Sequence, residues 1–240
     1  PSPCEACFFD LGHFESFLPL SILYRVFTGI SYPVLPDTRC YEAEAAGHPL
    51  FPNAFRFTND LSLKNQFLIF SGSNLSGNTT YLRTVGIILF LARAGAPACA
   101  RRMACAQILP VTSMRIADNL CSGTSTFYAE LKRIRQILTY AERDPNTLFL
   151  IDEIFRGTNS VDRLAGAKKV LTRLSCLNTT GMITTHDLEL CDLQNQISSV
   201  QNYSFSESYQ NGKIHFDYQM RTGKSKTTNA QYLMEMLGIN

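Results

Sequence analysis

Three things are scarce in this sequence: net charge, long apolar runs, and cysteines at metal-ligand spacing. Lysine and arginine total 22 against 20 for aspartate and glutamate. A chain so nearly neutral presents no nucleic-acid surface by charge alone, so any DNA contact is local or made by another part of the molecule. The longest apolar helix-like run, Gly86 to Ala96, is interrupted by Arg93 and is too short to span a bilayer. No signal peptide is visible, and the chain starts at Pro1 rather than methionine, which points to a fragment of a longer protein. The eight cysteines are scattered, and only Cys4 and Cys7 form a C-x-x-C. Without a second pair to complete four zinc ligands, they read as reduced, mostly buried thiols, which favours the cytoplasm.

What is present suits a folded domain. Of the 240 residues, 45% are apolar and 18% charged, enough for a sizeable core in one large domain or one domain with a partial neighbour. Residues 1–40 differ from the rest. Phe14 to Phe27 is apolar with helical spacing, and the prolines at 33 and 36 break it, so this part reads as the tail of an upstream helical element. Residues 41–240 form the second unit. There, strands are predicted at Phe67–Ser71, Gln107–Thr112, Thr147–Ile151 and Thr180–Thr184, with a strand pair at Val200–Phe205 and Lys213–Met220. Helices are predicted from Tyr81 to Ala92, Phe127 to Leu138, Ser160 to Leu174, Asp187 to Leu193 and Thr228 to Leu237. Strands alternating with helices specify an α/β fold, a mainly parallel sheet covered on both faces, with an antiparallel pair at one edge.

The stretch SGSNLSGNTT, Ser71 to Thr80, follows the apolar run Phe67-Leu68-Ile69-Phe70 and precedes an amphipathic helix. Strand, glycines and helix form the context of a phosphate loop, G-x-x-x-x-G-K-[ST], with Gly72, Gly77 and Thr79 in register and Asn78 where the lysine belongs. In such a loop backbone N–H groups turn inward around phosphate oxygens, the helix N-terminus adds positive potential, and the Thr79 hydroxyl ligates Mg²⁺. The plainer reading is an ordinary strand-to-helix turn. A second candidate, Thr222-Gly223-Lys224-Ser225, has the G-K-S, but its first glycine would have to be Tyr218, and we read it as a basic turn.

Leu148-Phe149-Leu150-Ile151-Asp152-Glu153 is an apolar strand with two carboxylates at its C-terminal end, where open α/β sheets place ligands. Asp152 is a candidate Mg²⁺ ligand, and Glu153 a candidate base for an attacking water. The alternative is a solvated strand end, which the phosphate loop upstream makes less economical. In Asp118 to Phe127, a hydroxyl cluster opens the next helix. Ser125 there is an N-cap, a phosphate ligand, or both. Met182 to Asp187 is a strand ending in His186, which reads as a γ-phosphate sensor against the bland role of a structural histidine.

In order and wording, SGSNLSGNTTYLRT, DNLCSGTSTFYAE, LFLIDEIFRGTNS and TTHDLEL resemble the ATPase domain of MutS-type DNA mismatch-repair proteins. Gly47-His48-Pro49-Leu50 is similar to that family's entry into the domain, and the resemblance covers 41–240. It implies a P-loop NTPase of the ABC type, with residues 1–40 as the end of the family's core and lever region. The implied ligands are ATP and Mg²⁺. The segment Gly72 to Thr80, including Asn74, Gly77, Asn78 and Thr80, would wrap the phosphates; Thr79 and Asp152 would serve the metal. Glu153 and His186 would be catalytic. Ser125 would reach the nucleotide of the neighbouring subunit, and Arg156 to Asn159 would lie at the dimer contact. Adenine would stack between Phe55 or Phe57 and Tyr218, although Tyr218 also alternates with Ile214, Phe216 and Met220 on a strand face suited to core packing. The implied partners are a second subunit, in a homodimer or MutS-like heterodimer, and double-stranded DNA held by domains upstream of this sequence.

Asn78 departs from the family pattern. A lysine places a full charge between the β- and γ-phosphates, whereas asparagine is short and neutral. Hydrogen bonds to charged groups contribute about 1.5–3 kcal/mol each, so losing one or two weakens nucleotide binding or turnover roughly 10- to 1,000-fold. Lys224 and Arg83 are the candidate substitutes for the missing charge. Two further readings stand beside the ATPase: a non-hydrolysing nucleotide-binding or structural module, and an ATPase of the wider transporter and chromosome-maintenance superfamily. The second expects a serine followed by paired glycines and a glutamine, where this chain reads Ser122-Gly123-Thr124-Ser125-Thr126-Phe127.

Overall fold

In the computed structural model the chain runs α1 (Pro3–Val26), β1 (Tyr41–Gly47), β2 (Thr58–Leu63), β3 (Phe67–Ser71), α2 (Asn78–Arg93), β4 (Arg102–Cys105), β5 (Leu109–Ser113), α3 (Thr126–Arg143), β6 (Thr147–Asp152), α4 (Ser160–Cys176), β7 (Thr180–Thr185), β8 (Val200–Gln210) and β9 (Lys213–Thr222). Residues 3–72, 76–114, 126–210 and 213–225 are described by the structure. The helix expected at Thr228–Leu237 lies outside them.

The main sheet has six strands in the order β5-β6-β7-β3-β8-β9. All neighbours are parallel except β9, which returns antiparallel to β8. Both faces are covered, which is why β3 and β6 read as continuous apolar runs rather than alternating ones. Alternation survives in which layer each residue joins. Leu68, Phe70, Leu148 and Leu150 pack with Leu82, Val85, Ile88 and Leu89 of α2. Phe67, Ile69, Phe149 and Ile151 pack with Ile134 and Ile137 of α3 and Leu171 and Leu174 of α4.

A second sheet was not expected. Strands β2, β1 and β4 form an antiparallel sheet that packs on the α2 side through Tyr41, Ala43, Leu61, Leu63 and Met103. Its central strand reads YEAEAAG, a composition of strong helix formers. Pairing to β2 and β4 on both sides overrides that local preference, as strand formation commonly depends on neighbours rather than intrinsic bias. The short helix expected at Asp187–Leu193 is a 3-10 helix, Leu188–Asn195.

At the N-terminal end, α1 begins earlier than the spacing from Phe14 indicated and carries Pro19 inside it. Phe8, Phe9, Phe14, Phe17 and Ile22 are exposed along it. The connector after α1 is tied down: Ser31 bridges Ala98, Val34 bridges Ala104, and Arg39 donates to the Asn178 carbonyl at 2.5 Å and to the Thr180 hydroxyl at 3.1 Å. Among the described residues, no helix is long and apolar enough to cross a membrane.

At Gly181 of β7 an added Cβ would collide with the Phe149 ring of the neighbouring strand β6. Gly181→Ala is therefore expected to destabilise the fold by about 1–3 kcal/mol through overpacking, read as a lower urea midpoint.

Candidate functional site

The site forms at the C-terminal edge of β3, β7 and β6. Register aligns Ser71 with Thr185 and Asp152 with Thr184, so the three strands end at one level. Chain segments far apart in sequence leave the sheet there: the glycine loop after β3, the acidic loop after β6 and the histidine loop after β7.

Asp152 is the buried centre, 5% exposed. Its Oδ1 accepts from the Thr79 hydroxyl at 2.7 Å and from the Thr184 hydroxyl at 2.8 Å. A carboxylate removed from water requires such donors. Thr79 lies in the first turn of α2, and Gly77 caps that helix at φ 105°, a left-handed conformation open to glycine. Gly72 sits at φ 144°, with Ser76 Oγ and Asn78 Nδ2 closing on the space a Cβ would take, at 3.1 and 3.2 Å. Ser76 and Asn78, just before and at the start of α2, thus close toward Gly72, just past the end of β3. Asn74 and Ser125 fall outside the described residues.

Glu153 follows with φ 52°, and its N–H donates to the Thr184 hydroxyl at 3.1 Å. Its Oε1 meets His186 Nε2 at 2.8 Å and Arg156 at 2.5 Å. Among the described residues no bond falls on Oε2, which is the oxygen left for a water. Burial alone would raise the Glu153 carboxyl, but His186 and Arg156 together hold it below the ordinary carboxylate value. The Glu153 hydrogen bond pushes His186 above its ordinary 6.5, against burial, and a further bond from the ring to the Gly72 backbone adds to this. His186 thus links the acidic loop to the glycine loop.

Several residues at the site were missed or placed otherwise by the sequence. Arg156, which the resemblance assigns to the loop at the dimer contact, also pairs with Glu153 within its own chain. Thr184 was part of a recognised motif with no role assigned, and it donates to Asp152. Glu130, one turn into α3, accepts the backbone N–H of Phe155, which is held at φ 59°. Arg163 of α4 makes two bonds to the Asp187 carboxylate, at 2.7 and 2.9 Å, steadying the residue after His186. None of these has a signal in a single sequence beyond its proximity to a motif.

Asn78 is 5% exposed, and its buried Oδ1 has no hydrogen-bond partner among the described residues. Neither candidate substitute stands at its position. Lys224 Nζ lies 3.4 Å from Asp192, while the turn it belongs to is anchored by the Ser225 N–H on Ser71 Oγ at 2.8 Å. Arg83 is exposed near His48, whose pKa is lowered by burial first and by this charge second.

Beside the glycine loop lies a cavity of about 420 Å³, within the range of small-molecule sites, lined by His48, Phe51, Phe55, Phe57, Gly77 and Tyr218 among others. Thr80 also borders it. The Phe57 and Tyr218 rings are in contact, with centroids 4.5 Å apart. Phe55 is 70% exposed and Phe57 50%. For a metal, the Thr79 hydroxyl and Asp152 carboxylate supply a hard, oxygen-only donor pair, which suits Mg²⁺ completed by phosphate oxygens and water.

The family model of MutS domain V matches residues 68–239. The chain belongs to the MutS domain V family. MutS domain V is a P-loop ATPase domain, and the mostly parallel sheet and glycine loop described above agree with that fold. The chain is 30% identical over 217 residues to the DNA mismatch repair protein MutS of Granulibacter bethesdensis, covering 86% of this chain and 23% of that protein. Against MutS of Halalkalibacterium halodurans the identity is 28% over 221 residues, 86% of this chain and 25% of the relative. A Listeria monocytogenes MutS is 30% identical over 183 residues, 74% of this chain and 21% of the relative. The chain therefore spans about a quarter of the length of these curated relatives.

Within this MutS domain V, the Glu153–His186 pair makes opposite contributions at the two ends of the pH scale. Because folding raises the His186 pKa, its stabilisation is full below 6.5 and fades as pH rises through the raised value. Because folding lowers the Glu153 pKa, its stabilisation is full above 4.5 and fades as pH falls through the lowered value. In an NMR titration His186 is expected to lose its proton above pH 6.5, and Glu153→Gln to move that midpoint downward, since burial and the Arg156 charge then oppose only the weaker Gly72 bond.

Proposed function

We propose that this MutS domain V binds ATP with Mg²⁺ and hydrolyses it slowly, coupling nucleotide state to DNA held by other parts of a longer protein. The observation that carries this reading is the convergence of Gly72, Thr79, Asp152, Glu153 and His186 on one sheet edge, through the bonds Thr79–Asp152, Glu153–His186 and His186–Gly72.

In this reading the backbone from Gly72 to Thr80, Asn74 included, cradles the phosphates, and Thr79 and Asp152 hold Mg²⁺. The bound ion supplies positive charge against the phosphate oxygens. Glu153 orients a water through Oε2 and takes its proton, while His186 and Arg156 keep the carboxyl ionised from the other oxygen. The same two cations lower its basicity. His186, bonded to Glu153 and to the glycine loop, reports phosphate occupancy to the base. Tyr218 and an aromatic residue at 55 or 57 hold the adenine. Ser125 reaches the nucleotide of a second subunit in a homodimer or related heterodimer, so that the working site is composite. Residues 1–40 are the end of an upstream helical region, a role that suits the uncovered apolar side chains of α1.

Asn78 weakens this machine at one point. Its amide offers no charge to the phosphates, and Lys224 and Arg83 are engaged or exposed elsewhere. That supports a second reading, a module that binds nucleotide without turning it over. Calorimetric titration with ATP beside a phosphate-release assay separates the two. Asn78→Lys is expected to tighten ATP binding or raise turnover by roughly 10- to 1,000-fold, from one or two recovered charged hydrogen bonds. Normal turnover in the original protein, unchanged by that substitution, would overturn the assignment of impaired hydrolysis. In the Asn78→Lys background, Glu153→Gln should cost about 10²- to 10⁴-fold in turnover, the usual share of a general base, while ATP still binds.

A further inference from the structure

Tyr218 stands where β9 leaves its ladder. Phe205 pairs with Met220 and Glu207 with Phe216, so residues 217–219 bulge opposite the one residue between Phe205 and Glu207. At the centre of the bulge Tyr218 takes φ 53°, a left-handed conformation that disfavours a bulky side chain. Something outside the strand must hold it there.

The holding group is Asn59, on β2 of the other sheet. Its Nδ2 donates to the Tyr218 carbonyl at 2.9 Å, and its Oδ1 accepts the Met220 N–H at 2.7 Å. One carboxamide thus supplies a donor and an acceptor to the same stretch of backbone, as a neighbouring strand would. The Asp217 carboxylate accepts the Gln219 N–H at 3.0 Å and closes the bulge from within. With its backbone so fixed, the Tyr218 ring rests on the glycine loop: Cδ1 lies 2.9 Å from where a Cβ on Gly77 would stand. Among the described residues its ring partners are Phe216, with centroids 5.8 Å apart, and Phe57, two residues before Asn59, half exposed, with its centroid 4.5 Å away.

A base held between two rings needs about 7 Å between them, twice the contact distance of carbon atoms. The present 4.5 Å does not admit one, so one ring has to move. Tyr218 is pinned by Asn59 and seated on Gly77, whereas half of Phe57 faces solvent.

We infer that Asn59 is a positioning residue for the nucleotide base: it locks Tyr218 as the fixed platform of the pocket, and Phe57 is the cover that swings aside. This rests on the nucleotide reading above and extends it to Asn59, which borders the same cavity with both of its amide atoms engaged by the β9 backbone.

The test compares two ligands on the purified protein by calorimetry with Mg²⁺ present, ATP and inorganic tripolyphosphate. Asn59→Ala should weaken ATP by about 5- to 100-fold, the range of one lost base–aromatic stack, and leave tripolyphosphate unchanged. Tyr218→Ala should give the same pattern, Phe57→Ala a smaller loss of ATP, and Asn59→Asp, which keeps the acceptor for the Met220 N–H, an intermediate one. If Asn59→Ala leaves ATP binding intact, or weakens both ligands alike, the positioning role is wrong although the nucleotide site stands. If the unmodified protein binds neither ligand, the nucleotide reading falls and takes this inference with it.

Discussion

The arrangement of the site depends on a buried carboxylate that two hydroxyls keep hydrogen-bonded. Asp152 emerges from the centre of the sheet, where water does not compensate its charge. Thr79 from α2 and Thr184 from β7 take that place. Because those donors come from different elements, the requirement to satisfy one charge ties the first turn of a helix and two strand ends into a single unit. Thr184 also accepts the Glu153 N–H, so the catalytic candidate inherits its position from the same hydroxyl. Beyond it the chain makes two left-handed turns at non-glycine residues, Glu153 and Phe155. Such backbone is kept only where surroundings over-determine it. Here Glu130 accepts the Phe155 N–H and the Phe155 ring packs against Phe127 and Gly166.

A comparable constraint joins the two sheets. The small antiparallel sheet shares α2 and one core with the main sheet, and Asn59 adds a polar stitch from β2 to β9. The cavity beside the glycine loop lies along that seam, walled by aromatic residues of the β1–β2 connection on one side and by Phe205 of β8 and Tyr218 of β9 on the other. A pocket at such a seam can change shape by moving exposed rings while its backbone stays fixed. The sheet-edge side of the site is instead tied together by bonds through Asp152 and His186.

Much of this was readable from local pattern. The main-sheet strands announce themselves because burial on both faces demands continuous apolar runs, as in FLIFS and LFLID, and the helices between them keep a single apolar stripe. The small sheet stayed hidden because YEAEAAG favours a helix locally and becomes a strand only by pairing. The basic turn at Thr222 to Ser225 shows the converse. Its lysine belongs to a familiar motif fragment, yet the turn is anchored on Ser71 and its charge faces Asp192.

The sequence by itself determined which segments end at the sheet edge and which acids, hydroxyls and histidine they carry, because strand burial and helix periodicity are properties of short stretches. Tertiary structure alone decided that Arg156 turns inward to Glu153, that among the described residues one carboxylate oxygen of Glu153 stays open, and that Asn59 governs Tyr218. These outcomes rest on hydrogen bonds and ring contacts set by angles and separations of an ångström or less. Such distances, even between residues three apart, follow from how the loops and layers pack, which no short stretch of sequence encodes.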